Sequence, residues 1–305
     1  MTSERRTASS SSENANTASH AHAGSQGGPA RAAGAAAHTP HGGGHGHSAG
    51  STPHGSHGGG EALPTIDVNE RGAEREGRPQ TMDKRLFMQF LAFHTSAATP
   101  RMGVESLASA FTERRIAAVI YDDVNDPRGI GILTWSENPA HFVTAVRPLL
   151  GDSTRGLALR PELTMLGRTY STGYEQDLPF WLIDRPQQTV LNPAHDWAIW
   201  YPLRRSGAFA RLEPREQGGI LREHATIGRA YGEQDLAHDV RLACHGLDAH
   251  DNEFVIGLVG KTLHPLSHIV QAMRKTRQTS EFISQMGPFF VGHVAWRSAP
   301  VAPGV

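Results

Sequence analysis

From residue 82 onward the apolar pattern runs twice through one succession of elements, and this repetition limits the fold more than any other feature of the 305 residues. Periodicity predicts a strand at 86–94, a helix at 104–115, strands at 117–121 and 130–135, a helix at 139–150 and a strand at 162–171. After a connector rich in Asp and Pro, it predicts a strand at 197–205, a helix at 213–231, strands at 240–247 and 253–259, a helix at 263–278 and a strand at 289–296. Both passages read βαββαβ, the split βαβ motif, in which two helices cover one face of a four-stranded antiparallel sheet. The copies share little sequence, so the repeat rests on element order. Two such sheets can pack into one barrel-like α+β core, and the space between a sheet and its helices is then a natural ligand site.

Ahead of the repeat, residues 1–80 are Ser, Ala, Gly, Pro and His with almost no large apolar side chains, too little to offset the entropy of ordering. The expected organisation is therefore a disordered tail over 1–80, a first unit over 81–180 and a second, ligand-carrying unit over 181–305. Within the tail His20, His22, His38, His41, His45, His47, His54 and His57 could hold metal loosely, although they lack the fixed spacing of a metal site. A solvated low-complexity tail is the simpler reading. The net charge of -1 gives no electrostatic case for nucleic acid or an anionic membrane. Cys244 is the single cysteine, which excludes an intrachain disulfide and a cysteine-based zinc site and fits a reducing cytosol. The sequence has neither a signal-peptide core near its start nor about 18 consecutive apolar residues, so a soluble cytoplasmic protein is expected. Gly129 and Gly131 are too sparse for a phosphate-binding loop.

The chemistry concentrates in the second copy. At 3.6 residues per turn Ile220, His224, Ile227 and Tyr231 share one side of their helix, so the imidazole points inward. An inward imidazole needs partners: those of an ordinary core histidine, the commoner case by position alone, or a metal or heme iron. Alternation places Arg241, Ala243 and His245 on one strand face and Leu242 and Cys244 on the other, and it groups Tyr201, Leu203 and Arg205 opposite Trp200, Pro202 and Arg204. Tyr201, His224 and Arg241 can thus converge from three elements. An arginine on an apolar strand needs a partner, either a ligand or a neighbouring Asp or Glu.

These residues carry a resemblance. Tyr201-Pro202-Leu203-Arg204-Arg205, Glu223-His224 with Ile227-Gly228-Arg229 and Tyr231, Gly246-Leu247-Asp248 with Glu253-Phe254, Met273-Arg274, and Gly287-Pro288-Phe289-Phe290-Val291-Gly292 follow one another at the order and approximate spacing of the chlorite dismutase family. The run from Tyr201 to Trp296 resembles that family of heme proteins, which includes the coproheme decarboxylases, while the first copy matches in length and element order. The resemblance implies two tandem ferredoxin-like units, assembly into a homo-oligomeric ring such as a pentamer, and heme b or coproheme in the second unit. It places His224 as the proximal iron ligand and Arg241 as the distal cation that holds a chlorite or departing hypochlorite anion, with peroxide chemistry as a related activity. Arg204 and Arg205, just after Tyr201, either meet heme propionates or form a solvated basic pair at a strand end, and His245 is a second distal group unless it is structural. Phe209 stands where chlorite-degrading members have a tryptophan beside the heme, and Tyr201 where one group of decarboxylases has a radical-forming tyrosine. The glutamate that hydrogen-bonds the proximal imidazole in chlorite dismutases is matched by spacing to Thr279 or Gln278, with Glu281 nearby. The implied functions are chlorite decomposition to chloride and dioxygen, coproheme decarboxylation, or non-catalytic heme carriage or sensing.

Overall fold

The computed structural model describes residues 63–152 and 155–299, and its compact unit begins at Pro64. The histidine-rich stretch expected to be a tail lies outside the described residues up to position 62. Its expected boundary near residue 80 is corrected: Glu70–Arg75 (β1) and Arg78–Met82 (β2) pair as an antiparallel hairpin. The turn residues Glu76 and Gly77 both have positive φ, 55° and 73°, as a tight two-residue hairpin turn requires. Polar pinning, not apolar burial, holds this hairpin. Gln80 donates to the carbonyls of Ala73 at 2.8 Å and Gln176 at 3.0 Å, and Arg168 pairs with Glu70 at 2.8 Å. A hydropathy pattern carries no trace of such contacts.

The repeat then unfolds in order. The first copy is Phe87–Thr95 (β3), Pro100–Glu113 (α1), Ala118–Asp123 (β4), Gly129–Ser136 (β5), the short Arg147–Leu150 (α2) continuing a π-helical turn at Phe142–Val146, and Leu157–Arg168 (β6). The helix at Pro100–Glu113 starts where Thr99 accepts from the Met102 N–H at 3.3 Å and Pro100 supplies a pre-set φ. The connector is not plain loop. It holds a π-helical turn at Phe180–Asp184 running into Arg185–Leu191 (α3). The second copy is Trp197–Arg205 (β7), the single turn Gly207–Ala210 (α4), Pro214–Glu233 (α5), His238–Ala243 (β8), Phe254–Gly260 (β9), Leu263–Met273 (α6), a π-helical turn at Gln278–Phe282, Ile283–Met286 (β10) and Phe290–Arg297 (β11). No helix among the described residues is long and apolar enough to cross a membrane.

Strand order closes the sheet. The order β10-β7-β11-β4-β5-β3-β6-β8-β9, with β9 pairing back onto β7, gives an antiparallel barrel in which each half has the strand order of a ferredoxin-like unit. The two seams differ. Five residue pairs, from Gly292 opposite Asp123 to Arg297 opposite Val119, join β11 to β4, while Arg168 opposite Ala243 joins β6 to β8.

Alternation along every strand sends one set of side chains into the barrel and the other under the helices. Phe90, Tyr121, Trp200 and Phe290 fill the interior, with ring centroids 5.8 Å apart for Phe90 and Trp200 and 4.7 Å for Phe90 and Phe290. Leu107, Phe111 and Leu149 pack beneath the helices of the first copy, and Ile199, Tyr201, Leu258, Leu266 and Ile269 beneath those of the second. The outer face of β7, β8 and β9 is therefore the floor of the compartment that α5 and α6 cover.

Candidate functional site

The site is assembled from α5 above that floor. Its amphipathic stripe turns Ile220, His224, Ile227 and Tyr231 toward the sheet, yet of its 20 residues only Ile220 is buried. His224 is half-buried. Its ring makes no hydrogen bond among the described residues, and its Nδ1 is fully buried with no partner. Burial, with a contribution from the nearby Arg241 charge, holds the imidazole below its ordinary pKa, so the ring is neutral near pH 7 with a lone pair free. A buried ring nitrogen left unpaired costs about 1–3 kcal/mol, which a ligand at this position would relieve.

Across the compartment, β8 points Val240 and Leu242 into the barrel and Asp239 and Arg241 outward. The Arg241 Nε pairs with Asp239 Oδ2 at 2.9 Å, while the other Asp239 oxygen accepts from Arg185 Nη2 at 2.7 Å. Arg185 also reaches the Asp239 carbonyl at 2.9 Å and lies over the Trp181 ring at 4.6 Å. Burial pulls the Asp239 carboxyl upward, but the two guanidiniums hold it below the usual carboxylate range. The neighbouring acid expected as one alternative is thus present, yet it engages only Nε, and the terminal nitrogens of Arg241 carry no hydrogen bond among the described residues. Tyr170 and Glu175 join Arg241, Arg185 and Trp181 around one small cleft. Burial raises the Tyr170 phenol, and hydrogen bonds from Ser171 and Thr172 outweigh burial to keep Glu175 ionised.

Tyr201 faces the same compartment, stacked on Phe289 at 4.6 Å with 25° between the rings. Burial, with the Asp239 charge adding to it, pushes its phenol far above the ordinary value. The Asp239 charge acts on His224, Arg241, Tyr170 and Tyr201.

The remaining expected residues sit around this centre. Arg205 lies between the rings of Phe209 and Phe254, 4.5 and 4.7 Å away, with its Nε on Glu253 at 3.1 Å. Phe209 is buried against Phe282 and Ile220. Arg204 projects from the other face of β7 and donates to the His250 carbonyl. His245 is exposed and packs edge-on against Phe254 at 5.6 Å. Near α5, Gln278 has a buried Oε1 without a partner, Thr279 bonds the Thr276 hydroxyl at 3.3 Å, and Glu281 pairs with Arg277 at 2.9 Å. Sequence reading did not single out Arg185, Trp181, Tyr170 and Glu175. The available signal was Asp239, two residues before Arg241 on one strand face, an acid that needs a second cation.

A sequence profile of the family described as chlorite dismutase matches residues 130–295. The chain is similar in fold to a cyanide complex of a chlorite dismutase variant from Candidatus Nitrospira defluvii, at 15% identity and a TM-score of 0.55, covering 70% of this chain and 92% of that one. It is likewise similar to a heme-binding protein from Thermus thermophilus, at 17% identity and a TM-score of 0.52, again covering 70% of this chain and 92% of the other. No curated protein matches the chain.

Proposed function

The chain belongs to the chlorite dismutase family, and from that premise we propose that it is a heme b oxidoreductase that converts chlorite to chloride and dioxygen, with His224 as the residue that would hold the iron. The residues present fit such a group. A neutral, half-buried imidazole with an unpartnered Nδ1 sits on a helix in which Ile220 alone is fully buried and Ile227 and Tyr231 are half-buried. When bound, the heme would supply the redox chemistry of chlorite decomposition, and the chain's own residues would hold the iron and the anion.

The observation that carries the reading is the arrangement of Arg241: Asp239 fixes its Nε at 2.9 Å and leaves the terminal nitrogens free to hold an oxyanion. Because Asp239 is shared with Arg185, that three-residue group keeps one net positive charge. Arg205, on the Tyr201 face of β7 and paired with Glu253 at 3.1 Å, is the arginine we assign to a propionate, whereas Arg204 projects from the other face. Phe209 supports the Arg205 guanidinium from beneath. Heme-reconstituted protein should evolve dioxygen from chlorite, and Arg241→Ala should abolish most of this while leaving the Soret band in place. Dioxygen evolution at wild-type rate in that variant would remove Arg241 from the reaction.

A second reading has its own observation. The buried Tyr201 phenol, acted on by the same Asp239 charge as His224, suits a radical site for peroxide-driven coproheme decarboxylation. Conversion of coproheme to heme b that is lost in Tyr201→Phe would select it; tight heme binding without turnover of chlorite, peroxide or coproheme would leave a carrier or sensor.

A further inference from the structure

A second group of ligand-bearing side chains lies at the end of the barrel where β7 and β8 begin and β9 ends. His195 is in the loop before β7, Asp235 in the turn after α5, and His238 opens β8. One ligand atom from each lies within 4.8 Å of the other two.

We propose that His195, Asp235 and His238 bind a divalent transition-metal ion of the zinc, nickel or copper class. Two imidazoles and one carboxylate, with a fourth position open to water, form a donor set that suits these ions and not magnesium or calcium, which demand oxygen. The supporting contacts are already built. His195 is 4% exposed, and its Nδ1 lies 3.0 Å from the Thr189 carbonyl. A carbonyl only accepts, so Nδ1 carries the hydrogen and Nε2 offers the lone pair, the orienting contact typical of a ligating histidine. The Asn192 amide approaches that Nε2 at a long 3.3 Å. His238 Nε2 lies 2.8 Å from Asp235 Oδ1, and Lys261 pairs with the other carboxylate oxygen, a positive charge with which a bound ion would compete. The His195 and His238 rings run side by side, 4.6 Å apart and 24° from parallel. Arg297 secures the His195 loop by donating to the carbonyls of Asn192 and His195.

Metal uptake replaces the hydrogen that His238 Nε2 shares with Asp235 and moves it to Nδ1 of that ring. The fourth position is left to solvent. Because His238 leads directly into Asp239 and Arg241, an ion here pins the start of the strand that carries the Arg241 site.

Residues 1–62 carry eight further histidines, so the test compares cluster variants that all keep those eight, in the whole heme-loaded chain. Zinc held by the cluster raises the melting temperature only while the cluster is intact, whereas zinc held elsewhere acts alike in every variant. With zinc about a hundredfold above its Kd, the wild-type melting temperature should rise roughly 5–10 °C. That rise should vanish in Asp235→Asn and in His238→Gln, which also bind one zinc fewer by indicator competition. Lys261→Met removes a competing ammonium and should tighten zinc binding roughly five- to tenfold. No rise in the wild type, an equal rise in all variants, or unchanged or weaker affinity in Lys261→Met each overturns the site.

Discussion

Gly257→Ala isolates what holds the barrel closed. In the β7–β9 pairing Gly257 stands directly opposite Trp200, and the indole lies over the missing side chain. A Cβ added there would sit 2.4 Å from both Cη2 and Cζ3 of the ring, against an ordinary carbon–carbon contact of about 3.5–4.0 Å. The ring would have to retreat by about 1 Å to restore contact. It has no space to do so, because Trp200 is fully buried and stacked on Phe90, which in turn packs against Phe290. Overpacking of this kind costs about 1–3 kcal/mol, which in a domain of this size lowers the melting temperature by roughly 2–12 °C. Strain relieved by shifting β7 would instead move Tyr201, the next residue on the opposite face, and weaken heme uptake. Thermal unfolding followed by circular dichroism tests the cost, and Trp200→Phe in both backgrounds tests its origin. The smaller ring should cost less stability when combined with Gly257→Ala than when introduced alone. A melting temperature unchanged within about 1 °C, together with no coupling between the two substitutions, would refute the packing argument.

Two further perturbations address the site. Asp239→Asn removes the carboxylate that orients Arg241, and loss of such a supporting contact should lower chlorite turnover about 10–100-fold with the Soret band retained; wild-type turnover would show that Arg241 needs no orientation. In heme-free protein, His141, His195 and His224 are all held below their ordinary pKa by burial, so between about pH 6.5 and their lower folded-state values the unfolded chain binds more protons. Stability should therefore fall as pH drops through that window, by up to about 1.4 kcal/mol per pH unit for each such proton; denaturant midpoints that stay flat or rise on acidification would contradict this assignment.

Much of this architecture was legible because the barrel is made of strands with one face in each of two apolar compartments. The strand predicted at 197–205 is observed as Trp197–Arg205, and the alternation that separated Arg241 from Leu242 is the one found. Where stability comes from polar contacts, the pattern fails. The hairpin at Glu70–Met82 is fixed through Gln80 and Glu70, and its outward polarity resembles that of the tail. Arg185–Leu191 was hidden because Pro186 reads as a breaker although it occupies the first turn, where its missing N–H costs nothing. With that helix went Arg185, and so the second cation on Asp239. No local pattern signals that His195 and His238 meet, since the loop before β7 and the start of β8 adjoin only through the strand order.

The claim on which the function rests is that His224 ligates heme iron, and an optical titration of apo-protein with heme tests it most directly. The wild type should develop the Soret band of a histidine-ligated heme at one equivalent. His224→Ala should lose that spectrum and recover it with added imidazole. A His224→Ala protein that takes up heme with the wild-type spectrum and no need of imidazole would contradict the assignment.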